Sequence, residues 1–182
     1  TRTCGATALY DGGGLERDAP PSRGGSCDAD GATARVGDDA LDRQYRSILD
    51  FNTAGLPDEA VIVGVTLRIK AAGITGTDPF TTHGNLRLDL RTKGFHDDLL
   101  LETYDFQAAS TRAGVGWFRQ AADGWYRAPV RAEFRSLIDR AGHTQFRLRF
   151  ALVDDDDNQA DFLEFFTADA PAMADRPELV IV

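Results

Sequence analysis

The chain reads as an all-β protein, an antiparallel β-sandwich of jelly-roll type with one short helix. Three observations predict this. Apolar residues recur at period two in separate stretches: Val61, Val63, Val65, Leu67 and Ile69; Leu86, Leu88 and Leu90; Phe146, Leu148, Phe150 and Leu152. That spacing belongs to strands with one buried face. Turn-forming clusters of Gly, Pro, Asn and Asp separate these stretches. Helical spacing occurs once, at Phe134, Leu137 and Ile138 within residues 131–141, with Gly142 where a helix would stop. Several strands at irregular spacing and one helix suit a sandwich.

Taken in order, residues 1–31 are turn-rich, with Gly12 to Gly14, Pro20-Pro21 and Gly24-Gly25; only residues 6–10 suggest a strand there. Residues 32–36 predict a short strand before the acidic turn at Asp38-Asp39. Residues 45–51 and 61–69 predict two long core strands joined at Gly55-Leu56-Pro57-Asp58, since Pro57 cannot sit in a central strand. Residues 73–84 read as a Gly- and Thr-rich loop. Residues 85–92 resume alternation. Residues 94–124 are weakly patterned and read as loop, with a helical turn at 102–109. Residues 125–130, 144–153, 162–167 and 178–182 predict the remaining strands, and 154–161 an acidic loop between two of them. There is no internal repeat and no linker, so residues 1–182 read as one domain.

The net charge of −9 argues against non-specific nucleic-acid binding and against a polybasic membrane contact. No apolar run approaches the roughly 20 residues of a membrane-spanning helix. Cys4 and Cys27 have no CxxC spacing and no nearby histidine, so the reading is a structural disulfide rather than metal or redox chemistry. By chain entropy such a bridge contributes about 3 kcal/mol. It implies an oxidising, extracellular setting. A first residue of Thr1 suggests a processed or excised piece.

Three stretches stand out together: ARVGDD (34–39), RSILDFNTAGLPDEAVIVGVTLRI (46–69) and RPELVIV (176–182). They resemble the DNRLRE-type, disaggregatase-repeat-like secreted β-sandwich domains, some of which are carbohydrate-binding modules. The likeness is spread over residues 32–182 rather than set in one sharp motif, and the six letters of the domain's name do not occur. The resemblance implies a sugar-binding or surface domain within a larger secreted protein.

Aromatic rings are the usual platform for the apolar C–H face of a sugar. Trp117, Trp125 and Tyr126 cluster in the weakly patterned region and are the candidate platforms. His83, in Phe-Thr-Thr-His-Gly, is a candidate polar contact in a binding loop. Arg87, Arg91, Arg147 and Arg149 lie opposite the apolar set of their strands. If those strands adjoin, the arginines form a basic stripe able to hold the carboxylates of an acidic polysaccharide; ion pairing with neighbouring Asp and Glu is the alternative. In the run from Asp154 to Asp161, Asp154, Asp155, Asp156, Asp157 and Asn158 place several oxygens within one turn. Asp154, Asp156, Asn158 and Asp161 are the expected ligands of a structural Ca²⁺, with Asp11, Asp38 or Asp39 as a ligand from a second segment, and a solvated acidic hairpin tip is the alternative. The run lacks the glycine and distal glutamate of an EF-hand. No Gly-x-Ser-x-Gly elbow, His-Glu-x-x-His or phosphate-binding loop occurs.

The expectation is therefore a non-catalytic, secreted module that carries an attached enzyme or surface to a polysaccharide. A structural or adhesive domain without a small ligand is the alternative. A jelly-roll lyase or hydrolase, with carboxylates from separate strands, is the third reading.

Overall fold

Most of the period-two stretches are strands, Val61, Val63 and Leu152 excepted, and every described strand pairs antiparallel. A computed structural model describes residues 24–121, 123–152 and 155–182, and the backbone of 13–17. The strands are β1 (Gly13–Arg17), β2 (Gly24–Asp28), β3 (Thr33–Asp38), β4 (Gln44–Asn52), β5 (Val65–Gly76) and β6 (Leu86–Thr92). They continue with β7 (Arg112–Trp117), β8 (Arg119–Gln120), β9 (Trp125–Pro129), β10 (His143–Phe150), β11 (Asp161–Phe166) and β12 (Glu178–Ile181). The hydrogen-bonded order is β7-β6-β10-β4-β3-β11-β5-β9-β8, with β1 on β4, β2 on β1 and β12 on β5.

Strand β5 turns the corner of the sandwich. Its second half, from Ala71 to Gly76, pairs with β11, while its first half pairs with β9 and β12. The register with β11 shifts between Glu164 and Phe165, the kind of irregularity that lets one strand serve two sheets. At the far side the two sheets meet again. Arg131 N donates to Val115 O at 2.9 Å. A β-carbon on Gly116 would lie 2.5 Å from Pro129 O, so only glycine permits this approach of β7 to β9.

The core fills the space between the layers. Leu67, Ile69, Leu86, Leu88, Leu90, Phe146, Leu148, Leu163 and Phe165 are wholly or almost wholly buried there. A second, smaller cluster of Ile48, Phe95, Leu101 and Phe106 lies apart from it. It forms because residues 95–108 fold over the outer face of β4 and β10, so this part of the sheet is covered on both sides.

Four sequence expectations change. The strand expected from Val61 begins at Val65: Val61 and Val63 are 81% and 60% exposed despite their alternation. The loop expected over 73–84 is strand to Gly76, followed by the one α-helical turn among the described residues, α1 (Pro79–Thr82). Pro79 starts that turn and the Asp78 carboxylate accepts from Phe80 N at 3.0 Å. The helix expected over residues 131–141 is a 3₁₀ stretch, Ala132–Leu137. In that geometry Phe134 and Leu137, three residues apart, share one face, and both pack half-buried on the core. Ile138 is already extended, and Gly142 O accepts from Thr53 N at 2.8 Å instead of ending a helix. Two regions read as loop hold strands: β1 and β2 in residues 1–31, and β7 and β8 in residues 94–124. The strand suggested at 6–10 lies outside the described residues. The helical turn expected at 102–109 is a 3₁₀ turn, Thr103–Phe106.

Candidate binding site

A bulge creates the exposed aromatic. Between Leu88 and Leu90 the register of β6 on β7 slips, so Leu88 faces Gly116 while Leu90 faces Arg112. The extra residues turn Val115 into the core and leave Trp117 at the outer face, 40% exposed. Asp89 holds the bulge by accepting from Gly114 N at 2.8 Å. Trp117 stands directly opposite Arg87 on β6.

Two shallow grooves adjoin this ring. One, of about 290 Å³, is lined by Asn85, Arg87, Gly114, Gly116 and Trp117. The other, of about 240 Å³, is lined by Trp117, Arg119, Pro129 and Arg131. The Arg119 guanidinium lies 5.8 Å from the ring centre, within cation–π range. Arg87 and Arg119 are exposed, and among the described residues neither pairs with a carboxylate. Arg131 is held by Gly114 O at 2.8 Å and lies 3.6 Å from Glu133. No carboxylate lines either groove among the described residues. An aromatic face with unpaired planar cations at its edges can stack an apolar ring face and hold carboxylates at once.

A larger cleft, of about 410 Å³, lies elsewhere, between residues 26–35 and Arg43 and Tyr45. Its cations are engaged: Arg43 pairs with Asp39 at 2.5 Å, and Arg35 with Glu164 at 3.0 Å. Burial works against ionisation of Asp39, but the bonds from Arg43 and Tyr45 hold its carboxyl at about 2. A fully satisfied ion pair has little left to offer a ligand. The Trp117 face is therefore the better candidate, although the cleft is larger.

Several of the expected contacts are elsewhere. Trp125 is 9% exposed and lies under Arg68, whose guanidinium is 4.6 Å from the ring centre and 2.6 Å from Glu178. Tyr126 is core, 2% exposed, and stacks on Phe80 at 5.2 Å and 5°. Burial, and then Asp78, pushes its hydroxyl up. Neither ring is available to a sugar. His83 is not in a binding loop: it is 1% exposed, with Nε2 3.1 Å from Asp38 Oδ1.

Strands β6 and β10 do adjoin, but Arg147 and Arg149 do not form an open stripe. Asp89 takes both: Arg149 donates at 2.8 and 3.2 Å and Arg147 at 3.2 Å. Arg147 also donates to the carbonyls of Asp105 and Ala108, at 3.0 and 2.7 Å, in the segment that covers it. Burial opposes the charge on Asp89, yet Arg149, then the Gly114 N–H and then Arg147 hold its carboxyl below the usual range. Of the expected arginines, Arg87 alone stays at the surface.

The acidic run uses the opposite parity from the one expected. Asp154 lies outside the described residues. Asp156 and Asn158 are exposed with φ of 56° and 57°, and Asn158 N donates to Asp42 at 3.0 Å. The ligand atoms that converge belong to Asp155, Asp157 and Asp161, and Asp155 also meets Asp38 and His83. Arg119 is legible in the sequence only as the charged residue two places from Trp117. Cys27 is half-buried, and no described cysteine is free; Cys4 lies outside the described residues.

No family model and no curated protein matches the chain. A solved structure with a similar course is a mutant of Xylanase10C from Cellvibrio japonicus in complex with xylopentaose, with a TM-score of 0.41 and 11% identity. The match covers 97% of this chain, which spans 28% of that one.

Proposed function

We propose that this chain is a non-catalytic carbohydrate-binding module for an acidic polysaccharide, acting within a larger secreted protein. The observation that carries the reading is Trp117, exposed at the bulged end of β7 between Arg87 and Arg119. A sugar ring stacks on the indole, and the guanidinium groups take its carboxylates in bidentate hydrogen bonds. Grooves lined by no carboxylate among the described residues favour holding a glycan over cleaving it, since hydrolysis needs an acid–base pair. A Cys4–Cys27 disulfide would suit the extracellular setting.

The test is retention of the chain on neutral and uronic-acid polysaccharides, at low and high salt. Retention on the acidic class, weakened by salt, supports the reading. Equal retention on neutral glycans would remove the arginines from the mechanism.

One observation favours the structural or adhesive reading. Val61, Val63, Val180 and Val182 are exposed together where Val63 N meets Val182 O at 2.7 Å. A chain retained on no glycan, with its fold intact, would make that apolar edge the functional surface.

A further inference from the structure

A second cluster of chemistry lies away from Trp117, where β3, α1 and the loop entering β11 come together. Asp38 and Asp161 face each other across the β3–β11 pair, and both are fully buried. Like charges directly opposite in a sheet repel, so two such carboxylates need something positive. His83 follows α1 and sets Nε2 3.1 Å from Asp38 Oδ1. The ligand atoms of Asp38, His83 and Asp155 lie within 4.8 Å of one another, and so do those of Asp155, Asp157 and Asp161. Oxygens on opposite sides of one calcium ion are about 5 Å apart, so each set fits around a single cation.

Proximity alone would not make a site. The independent observation is unmet bonding. Asp161 Oδ1 accepts from Thr77 N at 3.0 Å, but Oδ2 of this fully buried side chain has no hydrogen-bond partner. Asp155 Oδ1 is likewise buried without one. Among the described residues no lysine or arginine pairs with Asp155, Asp157 or Asp161. A buried carboxylate oxygen facing other carboxylates, with no donor, is costly unless a cation fills the gap.

The backbone is shaped to bring these groups together. Gly76 has φ +74°, and a β-carbon there would lie 1.4 Å from Ala160 O. Only glycine lets β5 approach the residue before Asp161 this closely.

We propose that Asp38, Asp155, Asp157 and Asp161 hold one divalent cation, calcium by their all-oxygen donor set, with His83 positioning Asp38. The imidazole donates Nε2–H to Asp38 Oδ1 and so orients the carboxylate toward the ion. The site joins β3, α1 and the 155–161 loop, and it does not depend on any glycan.

The experiment uses the full chain, stripped with a chelator and dialysed. Calcium, magnesium and zinc are titrated calorimetrically, and thermal unfolding is followed against calcium concentration. Calcium is expected to bind at one site and to raise Tm by several degrees, the rise growing with its logarithm. Asp155→Asn and Asp157→Asn each weaken calcium at least tenfold, whereas Asp156→Asn leaves it unchanged. Asp157 is exposed, so its variant folds even where Asp161→Asn fails to. No heat and no Tm shift with calcium overturns the proposal. So does an equal loss with Asp156→Asn. Tighter binding of zinc than of calcium, abolished by His83→Gln, overturns the calcium assignment and makes the imidazole a direct ligand.

Discussion

Trp117→Ala should weaken polysaccharide binding by about 5- to 70-fold without unfolding the protein. The upper bound follows from exposure. A tryptophan offers about 250 Å², and 40% of Trp117 is exposed, so a stacked sugar covers at most about 100 Å². At about 25 cal/mol per Å² this is about 2.5 kcal/mol, or about 70-fold. The lower bound of about 1 kcal/mol, or 5-fold, allows for coverage of one face and for the cost of ordering the glycan. The assay is affinity electrophoresis or calorimetry on the acidic polysaccharide that retains the wild type. Thermal unfolding serves as the control, because Trp117 belongs to neither core cluster. Arg87→Ala should lower the affinity and flatten its dependence on salt. Unchanged retention of Trp117→Ala, with cooperative unfolding intact, would refute stacking as the binding mode.

Asp89→Asn should cost about 3–5 kcal/mol in urea unfolding, because it leaves the buried Arg147 and the half-buried Arg149 without a counter-charge; a loss under 1 kcal/mol would show that the arginines find solvent. Asp105→Asn should stabilise the protein at neutral pH. Burial raises the folded-state pKa of Asp105 to about 6, above about 3.9 in the unfolded chain, so the folded state holds this proton more tightly. The wild type is then most stable below about pH 4 in this term and loses up to about 2–3 kcal/mol as pH rises through 6. The variant should lack that decline; a parallel decline in both would assign it to other groups. Gly116→Ala should cost about 1–3 kcal/mol by forcing β7 from Pro129 O, and it should also weaken glycan binding through the adjoining Trp117.

Leu86, Leu88 and Leu90, and Phe146, Leu148 and Phe150, are legible because each strand buries one face, and burial repeats at the period of the pleat. Val61 and Val63 show what that signal omits. They alternate as cleanly as Val65 and Leu67, yet they lie beyond the start of β5. Alternation tells which face is apolar, not where a partner strand ends. The bulge in β7 hid a strand for the opposite reason, since two extra residues break the period that would reveal it.

The site was legible only in part, because its chemistry depends on what covers each face. Trp117 and Trp125 both end up at a strand terminus, the last residue of β7 and the first of β9. Trp125 pairs with Lys70 on β5 and lies under Arg68, while Trp117 stands at a sheet edge opposite Arg87. Arg147 does point away from the main core, as its alternation requires. That outer face is nevertheless roofed by Phe95 and Phe106, which come from a segment with no readable period. In the acidic run, left-handed backbone at Asp156 and Asn158 turns those residues outward and brings Asp155, Asp157 and Asp161 together. Sheet pairing then adds Asp38 from more than a hundred residues away.

The same rule sorts the arginines. Those on β10 are consumed by Asp89 and by backbone carbonyls. Arg87 and Arg119, on strands with nothing laid over them, remain for a ligand. On a chain of net charge −9, two unpaired guanidinium groups beside an exposed indole form a local exception to the overall field, and a polyanion can be held there only through close contacts.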